Sequence, residues 1–256
     1  MEKIAIISDI HGSCVACEKV IESIRKRGIK KIFCLGDLVA KGSQPNDTIE
    51  LIKKNCDIVI KGNCDDLIVK NCTTKEHFWN HNNISKENLK YLENLPLYYD
   101  FYMSGLKIRL IHASTDSLYK SIEYYNIDSK LKDKIDKLFE NSSYLGCDFK
   151  SSTPDIVIFG HIHSPFVYRD GTKIAINPGS VSNGCDIIEK SGKKYVLSSY
   201  LIIEGDFNSK NAGNFEFEIV KLPYDYEKEI LNLKNSDMPN KEMAIEELES
   251  GIYIRR

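Results

Sequence analysis

No run of this sequence stays apolar for long. The first, Ile4 to Ile7, is cut off at Ser8-Asp9, far short of a signal-peptide core or a membrane span, and no later run approaches a span. An excess of basic charge is also missing. Lysines and arginines number 35 against 37 aspartates and glutamates, a formal net charge of −2. That argues against a surface built to displace counterions from a nucleic acid, although it leaves room for a small nucleotide held locally. The eight cysteines lack the spacing of a disulfide framework and are expected as free thiols in a reducing compartment. Repeats and low-complexity tracts are absent as well, so residues 1–256 read as a single domain. The location expected from these absences is cytoplasmic. With 42% hydrophobic and 28% charged residues, a chain of this length can bury a sizeable core without covalent staples.

What is present is a series of short apolar runs, each ending in polar or glycine residues. Ile4-Ala5-Ile6-Ile7 stops at Ser8-Asp9-Ile10-His11-Gly12, and Lys31 to Leu35 stops at Gly36-Asp37. Ile58-Val59-Ile60 stops at Lys61-Gly62-Asn63, Ile108 to Ile111 at His112, and Ile156 to Phe159 at Gly160-His161-Ile162-His163. Their length and β-branched content predict strands. Cys17, Val20, Ile21 and Ile24 follow the spacing of a buried helix face with Ser13 as N-cap, and Asn46 is expected to cap a second helix running to about Lys54. Strands alternating with helices predict parallel β-α-β units buried on both sides, with chemistry collected at the carboxyl ends of the strands.

Residues 65–95 read as helices with a polar stretch from Asn71 to Asn83, and residues 117–150 as a charged helical region with Asp128 as an N-cap. Both segments are expected to lie over the site as a cap. After residue 160 the pattern predicts antiparallel strands, with Asp170-Gly171 marking a two-residue hairpin and further strands near 195–204 and 215–221. A tail of two short helices, about 224–256, closes the chain.

The polar residues at the predicted strand ends are Asp9, His11, Asp37, Asn63, His112, His161 and His163. Carboxylate, imidazole and amide oxygen together suit intermediate divalent metals. Seven donors exceed what one tetrahedral ion needs, whereas two ions sharing a carboxylate would use them all. Such pairs, about 3.5–4 Å apart, clamp the attacking and leaving oxygens of an in-line displacement at phosphorus. Taken singly the signals are weak: Gly36-Asp37 and Gly62-Asn63 would ordinarily read as turns, and a lone histidine as a structural one. The joint pattern, with four of the six histidines at such stops, is hard to produce from turns alone.

The order Asp9-x-His11, Gly36-Asp37, Gly62-Asn63, His112, Gly160-His161-x-His163 resembles the calcineurin-like metallophosphoesterase superfamily. Gly36-Asp37-Leu38-Val39 running to Pro45-Asn46, and Asn177-Pro178-Gly179-Ser180-Val181, are similar to its small bacterial and archaeal phosphodiesterase branch, which includes diadenosine tetraphosphatase-like members. The resemblance spans nearly the whole chain, up to the helical tail. It implies an α/β fold, a four-layer α/β/β/α sandwich with two central mixed sheets, and the helical cap segments in addition. It also implies that Asp9, His11 and His163 hold one divalent ion, that Asn63, His112 and His161 hold a second, and that Asp37 bridges them. Manganese is the expected metal, with iron, nickel, cobalt and zinc as alternatives. The implied reaction is hydrolysis of phosphodiesters or phosphoanhydrides, dinucleoside polyphosphates among them, by a hydroxide between the metals, with Asp37, Asn63, Cys64 and His112 nearest the chemistry. The implied partner is a small phosphate ester or nucleotide, with neither membrane nor nucleic acid expected and a homo-oligomer left open.

Cys64 departs from the pattern, since many members of the superfamily place histidine after the Gly-Asn pair. A thiol is a poorer general acid than an imidazolium, so the expectation is a preference for leaving groups that need little protonation. Two other readings compete. A non-catalytic binding scaffold exists on this fold, as in a retromer-type trafficking subunit, but a retired site would be expected to lose ligands. A nuclease of the same superfamily would call for a basic stripe. Cys14-x-x-Cys17 reads as a helix start, and His77 and His81 as surface or cap residues flanking Trp79. Lys132, Lys134 and Lys137 with Asp133 and Asp136 read as a solvated helix face. Tyr98, Tyr99, Tyr102, Tyr124 and Tyr125 read as packing residues.

Overall fold

Alternation of side chains along β1 (Glu2–Ile7) sets the architecture. Ala5 and Ile7 face one apolar cluster while Ile4 and Ile6 face another, as strand geometry requires. The computed structural model describes residues 1–70, 72–120, 129–146, 152–184, 187–190 and 192–251. From β1 the chain runs through α1 (Cys14–Lys26), β2 (Lys31–Cys34), α2 (Pro45–Asn55) and β3 (Ile58–Val59). Three helices follow, α3 (Asn63–Lys70), α4 (Lys75–Asn82) and α5 (Lys86–Glu93), and then β4 (Tyr98–Met103) and β5 (Leu106–Ile111). The second half holds α6 (Ser129–Lys137), β6 (Ile156–Phe159), β7 (Phe166–Asp170), β8 (Lys173–Asn177), β9 (Ile187–Lys190), β10 (Lys193–Gly205), β11 (Glu216–Pro223), α7 (Tyr226–Asn235) and α8 (Lys241–Ser250).

Two mixed sheets result. The first has the order β11-β10-β1-β2-β3, with β9 paired to β10, and the second has the order β4-β5-β6-β8-β7. Strands β1, β2 and β3 are parallel, as are β5, β6 and β8. Between the sheets lie Ile4, Ile6, Phe33, Phe101, Ile108, Ile158, Ile176 and Leu201. Outside the first sheet Val20, Ile24, Ile49 and Ile52 pack with Leu233 and Leu248 of the tail helices. Outside the second, Leu131 and Ile135 of α6 cover Val157 and Phe159. The order of layers is thus α/β/β/α, the four-layer sandwich that the resemblance implies.

The differences are local. α2 begins at Pro45, whose fixed φ suits the first helical position, and its cap residue Gln44 makes no side-chain cap bond. Asn46 is therefore inside the helix, and its Oδ1 accepts from Ser85 N and Asn88 Nδ2. The polar stretch after Asn71 holds a helix of its own, α4, capped by Thr74. Ile68, Ile84 and Leu92 of the segment expected to cover the site pack into the outer cluster with α1 and α2. α6 does the same on the other sheet, so helices of both segments contribute to the outer helical layers. Asp128, Tyr124 and Tyr125 lie outside the described residues. The hairpin pairs Asp170 with Lys173, which puts Gly171 and Thr172 in the loop. β8 then pairs in parallel with β6, so the region after 160 is not wholly antiparallel.

Candidate metal centre

Each of the predicted site residues stands at the carboxyl end of a strand or just beyond it. Asp9 and His11 follow β1, Asp37 follows β2, Asn63 follows β3 and opens α3, His112 follows β5, and His161 and His163 follow β6. Five of them, Asp9, His11, Asp37, His161 and His163, have φ between 50° and 70°. The sharp turn at each strand end aims these side chains into one buried space.

Glycines let the loops close. A Cβ on Gly36 would lie 2.3 Å from Gly62 N, and one on Gly62 would lie 2.2 Å from Asp37 N. The pairs Gly36-Asp37 and Gly62-Asn63, weak as separate signals, are thus two halves of one backbone contact. Behind it, the Asp65 carboxylate accepts from Gly62 N, Asp37 N and Leu38 N, each at 2.9 Å. Burial and the neighbouring Asp37 push the Asp65 carboxyl up to about 6.

Two clusters form. In the first, His11 Nε2 lies 2.9 Å from His163 Nε2, and Asp9 Oδ1 lies 3.8 and 3.4 Å from these two nitrogens. In the second, Asn63 Oδ1 lies 3.0 Å from His112 Nε2 and 2.8 Å from His161 Nδ1. Asp37 stands between the clusters, with Oδ2 3.8 Å from His11 Nε2 and Oδ1 3.4 Å from His112 Nε2. Asp9-His11-His163, Asp37-His112-His161 and His11-Asp37-Cys64 each bring ligand atoms within 4.8 Å of one another. Cys64 N donates to Asp37 Oδ1 at 2.8 Å.

The hydrogen bonds behind the histidines fix which nitrogen faces inward. Nδ1 of His11, His112 and His163 faces the backbone carbonyls of Val39, Leu35 and Asn183 at 3.2, 2.8 and 3.2 Å. A carbonyl only accepts, so Nδ1 carries the proton, and in the neutral ring Nε2 turns its lone pair to the centre. Two imidazole lone pairs therefore meet at 2.9 Å. Asp9 Oδ1 beside them is buried and accepts no hydrogen bond. Acceptors that converge without donors call for a cation, and this donor set fits an intermediate divalent metal.

The titration behaviour agrees for His11 and His161, which burial keeps neutral, whereas the carboxylates favour a proton on His112 that a metal would have to displace. Burial and then the neighbouring His163 push His11 down to about 3. Burial and then His112 push His161 down to about 4. Burial disfavours charge on Asp9, yet His163 and His112 hold its carboxyl at about 2. Burial would also lower His112, but Asp37 and Asp9 push it up to about 9. Two ionised carboxylates thus draw positive charge to the middle of the site.

Sequence reasoning missed four residues around these candidate ligands. Asp65 sits in the run after Gly62-Asn63 and was readable as a first-turn acid. Lys41, Asn183 and Glu247 carry no local signal, because they meet only in three dimensions. The residues set aside do lie elsewhere. Cys17 is fully buried in the outer core, and burial pushes the Cys14 thiol up to about 11. His81 Nδ1 faces Ile68 O, and Trp79 donates to Asp237. Tyr99 stacks on Phe101.

Comparison with known proteins places the fold and the family. Residues 2–200 match the family model of the calcineurin-like phosphoesterase superfamily domain. The chain is 33% identical over 261 residues to the uncharacterized protein MJ0912 of Methanocaldococcus jannaschii, covering 92% of this chain and 93% of that one. Its fold is similar to that of a metallophosphoesterase from Sphaerobacter thermophilus, with TM-score 0.70, 20% identity and 98% and 99% of the two chains covered. It is equally similar to the hypothetical protein PH1004 of Pyrococcus horikoshii OT3, with TM-score 0.70, 17% identity and 99% and 100% covered. Among the described residues no helix is long and apolar enough to cross a membrane. With the buried Asp/His/Asn cluster at the strand ends and a family match over most of its length, the chain belongs to the calcineurin-like phosphoesterase superfamily and is a hydrolytic enzyme of that class.

Proposed function

We propose that this enzyme hydrolyses small phosphodiesters or phosphoanhydrides at a binuclear metal centre, with dinucleoside polyphosphates as a candidate substrate class. Asp9, His11 and His163 hold one divalent ion, Asn63, His112 and His161 hold the other, and Asp37 bridges. The observation that carries this reading is the convergence of acceptors, with two imidazole lone pairs 2.9 Å apart beside an unpartnered Asp9 Oδ1. The two oxygens of Asp37 face different clusters, which is what a bridging carboxylate requires. Manganese suits the mixed oxygen and nitrogen donors. A pair of divalent ions supplies charge neutralisation at the phosphoryl oxygens and a water acidified to a pKa of about 7.

The chain's own groups do the positioning. Backbone carbonyls behind three histidines hold their rings, the Asp65 carboxylate locks the Asp37 loop, and Cys64 N steadies Asp37 Oδ1. Burial and the nearby Asp37 push the Cys64 thiol well above its usual value, so at neutral pH it stays protonated and gives up its proton reluctantly. That supports a preference for leaving groups that depart as stable anions, such as nucleotides and aryl alcohols.

The test is turnover by metal-free protein reloaded with Mn²⁺, against bis-p-nitrophenyl phosphate, p-nitrophenyl phosphate and diadenosine tetraphosphate. Metal-dependent turnover that falls at least a hundredfold in Asp37→Asn is the expected result (~3 kcal/mol of barrier). Cys64→His should narrow the rate ratio between good and poor leaving groups. Two bound ions without turnover of any substrate would sink the hydrolytic assignment of the site in favour of a binding role.

A further inference from the structure

The family match ends at residue 200, yet one side chain of the helical tail reaches the supports of the metal site. Glu247 of α8 is 6% exposed. Its carboxylate accepts from Lys41 Nζ at 3.0 and 3.4 Å and from Asn183 Nδ2 at 2.9 Å. Asn183 is the residue whose backbone carbonyl receives His163 Nδ1. Its backbone is left-handed, with φ 52°, and its side-chain oxygen accepts from Ser182 Oγ at 2.8 Å. Both ends of the amide are therefore held, and with them the direction of the carbonyl.

Lys41 belongs to the loop under the other histidine of the same cluster. Ala40 and Lys41 are consecutive left-handed residues, with φ 71° and 62°, and Gly42 N donates to His11 O at 2.8 Å. A Cβ on Gly42 would lie 2.3 Å from that same carbonyl. The loop thus rests directly on the His11 backbone. One carboxylate of α8 touches the support of His163 on one side and the loop beneath His11 on the other. α8 is itself fixed, since Ala244 and Leu248 are buried in the outer core and Asn240 Nδ2 donates to Glu76 Oε1 of α4.

A buried ion pair of this kind contributes little net stability, because desolvation offsets the attraction. Its value is geometric. We propose that Glu247 is a positioning residue for the Asp9-His11-His163 cluster, so that the C-terminal helix is a working part of the metal site. The inference rests on the binuclear reading above. Groups behind metal ligands set metal affinity by about 10–100-fold when removed.

The experiment is calorimetric titration of metal-free protein with Mn²⁺, for wild type, Glu247→Ala, Glu247→Gln, Asn183→Gly and the Glu247→Ala/Asn183→Gly pair, with melting temperatures in parallel. Asn183→Gly keeps the carbonyl and the left-handed backbone but cuts the link to Glu247. Each of Glu247→Ala and Asn183→Gly should weaken one of two ions about tenfold or more. The pair should weaken it no further than the worse single variant. Glu247→Gln, which keeps an oxygen for Asn183, should recover part of the loss. A folded Glu247→Ala with wild-type affinity overturns the proposal, and so do losses that simply add. If Glu247→Ala fails to fold, wild-type affinity in both Asn183→Gly and Glu247→Gln overturns it. Wild-type protein that takes up no ion overturns the metal reading and this inference with it, whereas equal uptake by wild type and variants overturns the inference alone.

Discussion

Glu229 shows how much one buried proton can decide. It is 2% exposed, accepts from Ser13 Oγ at 2.7 Å, and leaves Oε1 without a partner. Burial pushes its carboxyl up to about 7, so its folded pKa lies above the unfolded value. Stability is then full below the unfolded pKa and is lost as pH rises through about 7. Glu229→Gln keeps the acceptor for Ser13 and removes the charge. It should raise the unfolding free energy at pH 8.5 relative to wild type by an amount on the order of 2–3 kcal/mol, read as a higher melting temperature, and change it little at pH 5. Equal shifts at both values would show that the carboxyl is not titrating in this window. Single residues also mark how far the site was legible. The seven proposed ligands were readable because each ends a strand, where any polar residue following an apolar run stands out. Glu247 was not, since a glutamate on an amphipathic tail helix looks solvated until Lys41 and Asn183 are seen against it.

Elements were legible where their pattern was pure. β1, β2, β5 and β6 are apolar throughout or alternate cleanly, and were expected where they occur. β4 was not, because Tyr98, Tyr99 and Tyr102 read as packing residues and Asp100 interrupts the run. The reason for Asp100 lies in β5. Arg109 is fully buried, and its guanidinium grips Asp100 through two bonds of 2.8 Å across the strand pair. It also donates to Glu140 O and Asn141 Oδ1, tying the strands to the segment after α6. Neither partner was identifiable from spacing within its own strand. Arg109→Met removes the cation and orphans several acceptors, which should cost about 3–5 kcal/mol in urea unfolding with an unchanged m-value. A loss below about 1 kcal/mol would mean that the pair is neutralised by Lys107, whose Nζ lies 3.3 Å from Asp100 Oδ2. Strand order was also beyond the pattern. The Asp170-Gly171 signal announces a hairpin but cannot say that its second strand will pair in parallel with β6.

At the scale of the molecule, the candidate metal site is where the two sheets meet, since β1, β2 and β3 of one and β5 and β6 of the other all bring proposed ligands to it. A cation bound there links the halves of the sandwich, and binding to the folded form alone stabilises it by mass action. At free Mn²⁺ about 100 times the dissociation constant, the gain is about 2.7 kcal/mol, or roughly 5–10 °C in melting temperature for a chain of this size. Thermal scans with added Mn²⁺, and with chelator to reverse it, should show this in wild type and markedly less of it in Asp37→Asn. A melting point indifferent to metal would contradict a site shared between the sheets.

The left-handed turns at the strand ends carry a last consequence. Asp9, His11, Asp37, His161 and His163 occupy a backbone region that side-chain-bearing residues avoid by about 1–2 kcal/mol each. Glycine would relax every one of them and abolish a donor each time. On the proposed function, durability and activity therefore pull against each other at the same five positions. A laboratory population of this gene, selected for heat resistance with no demand for turnover, would be drawn first to the proposed metal ligands.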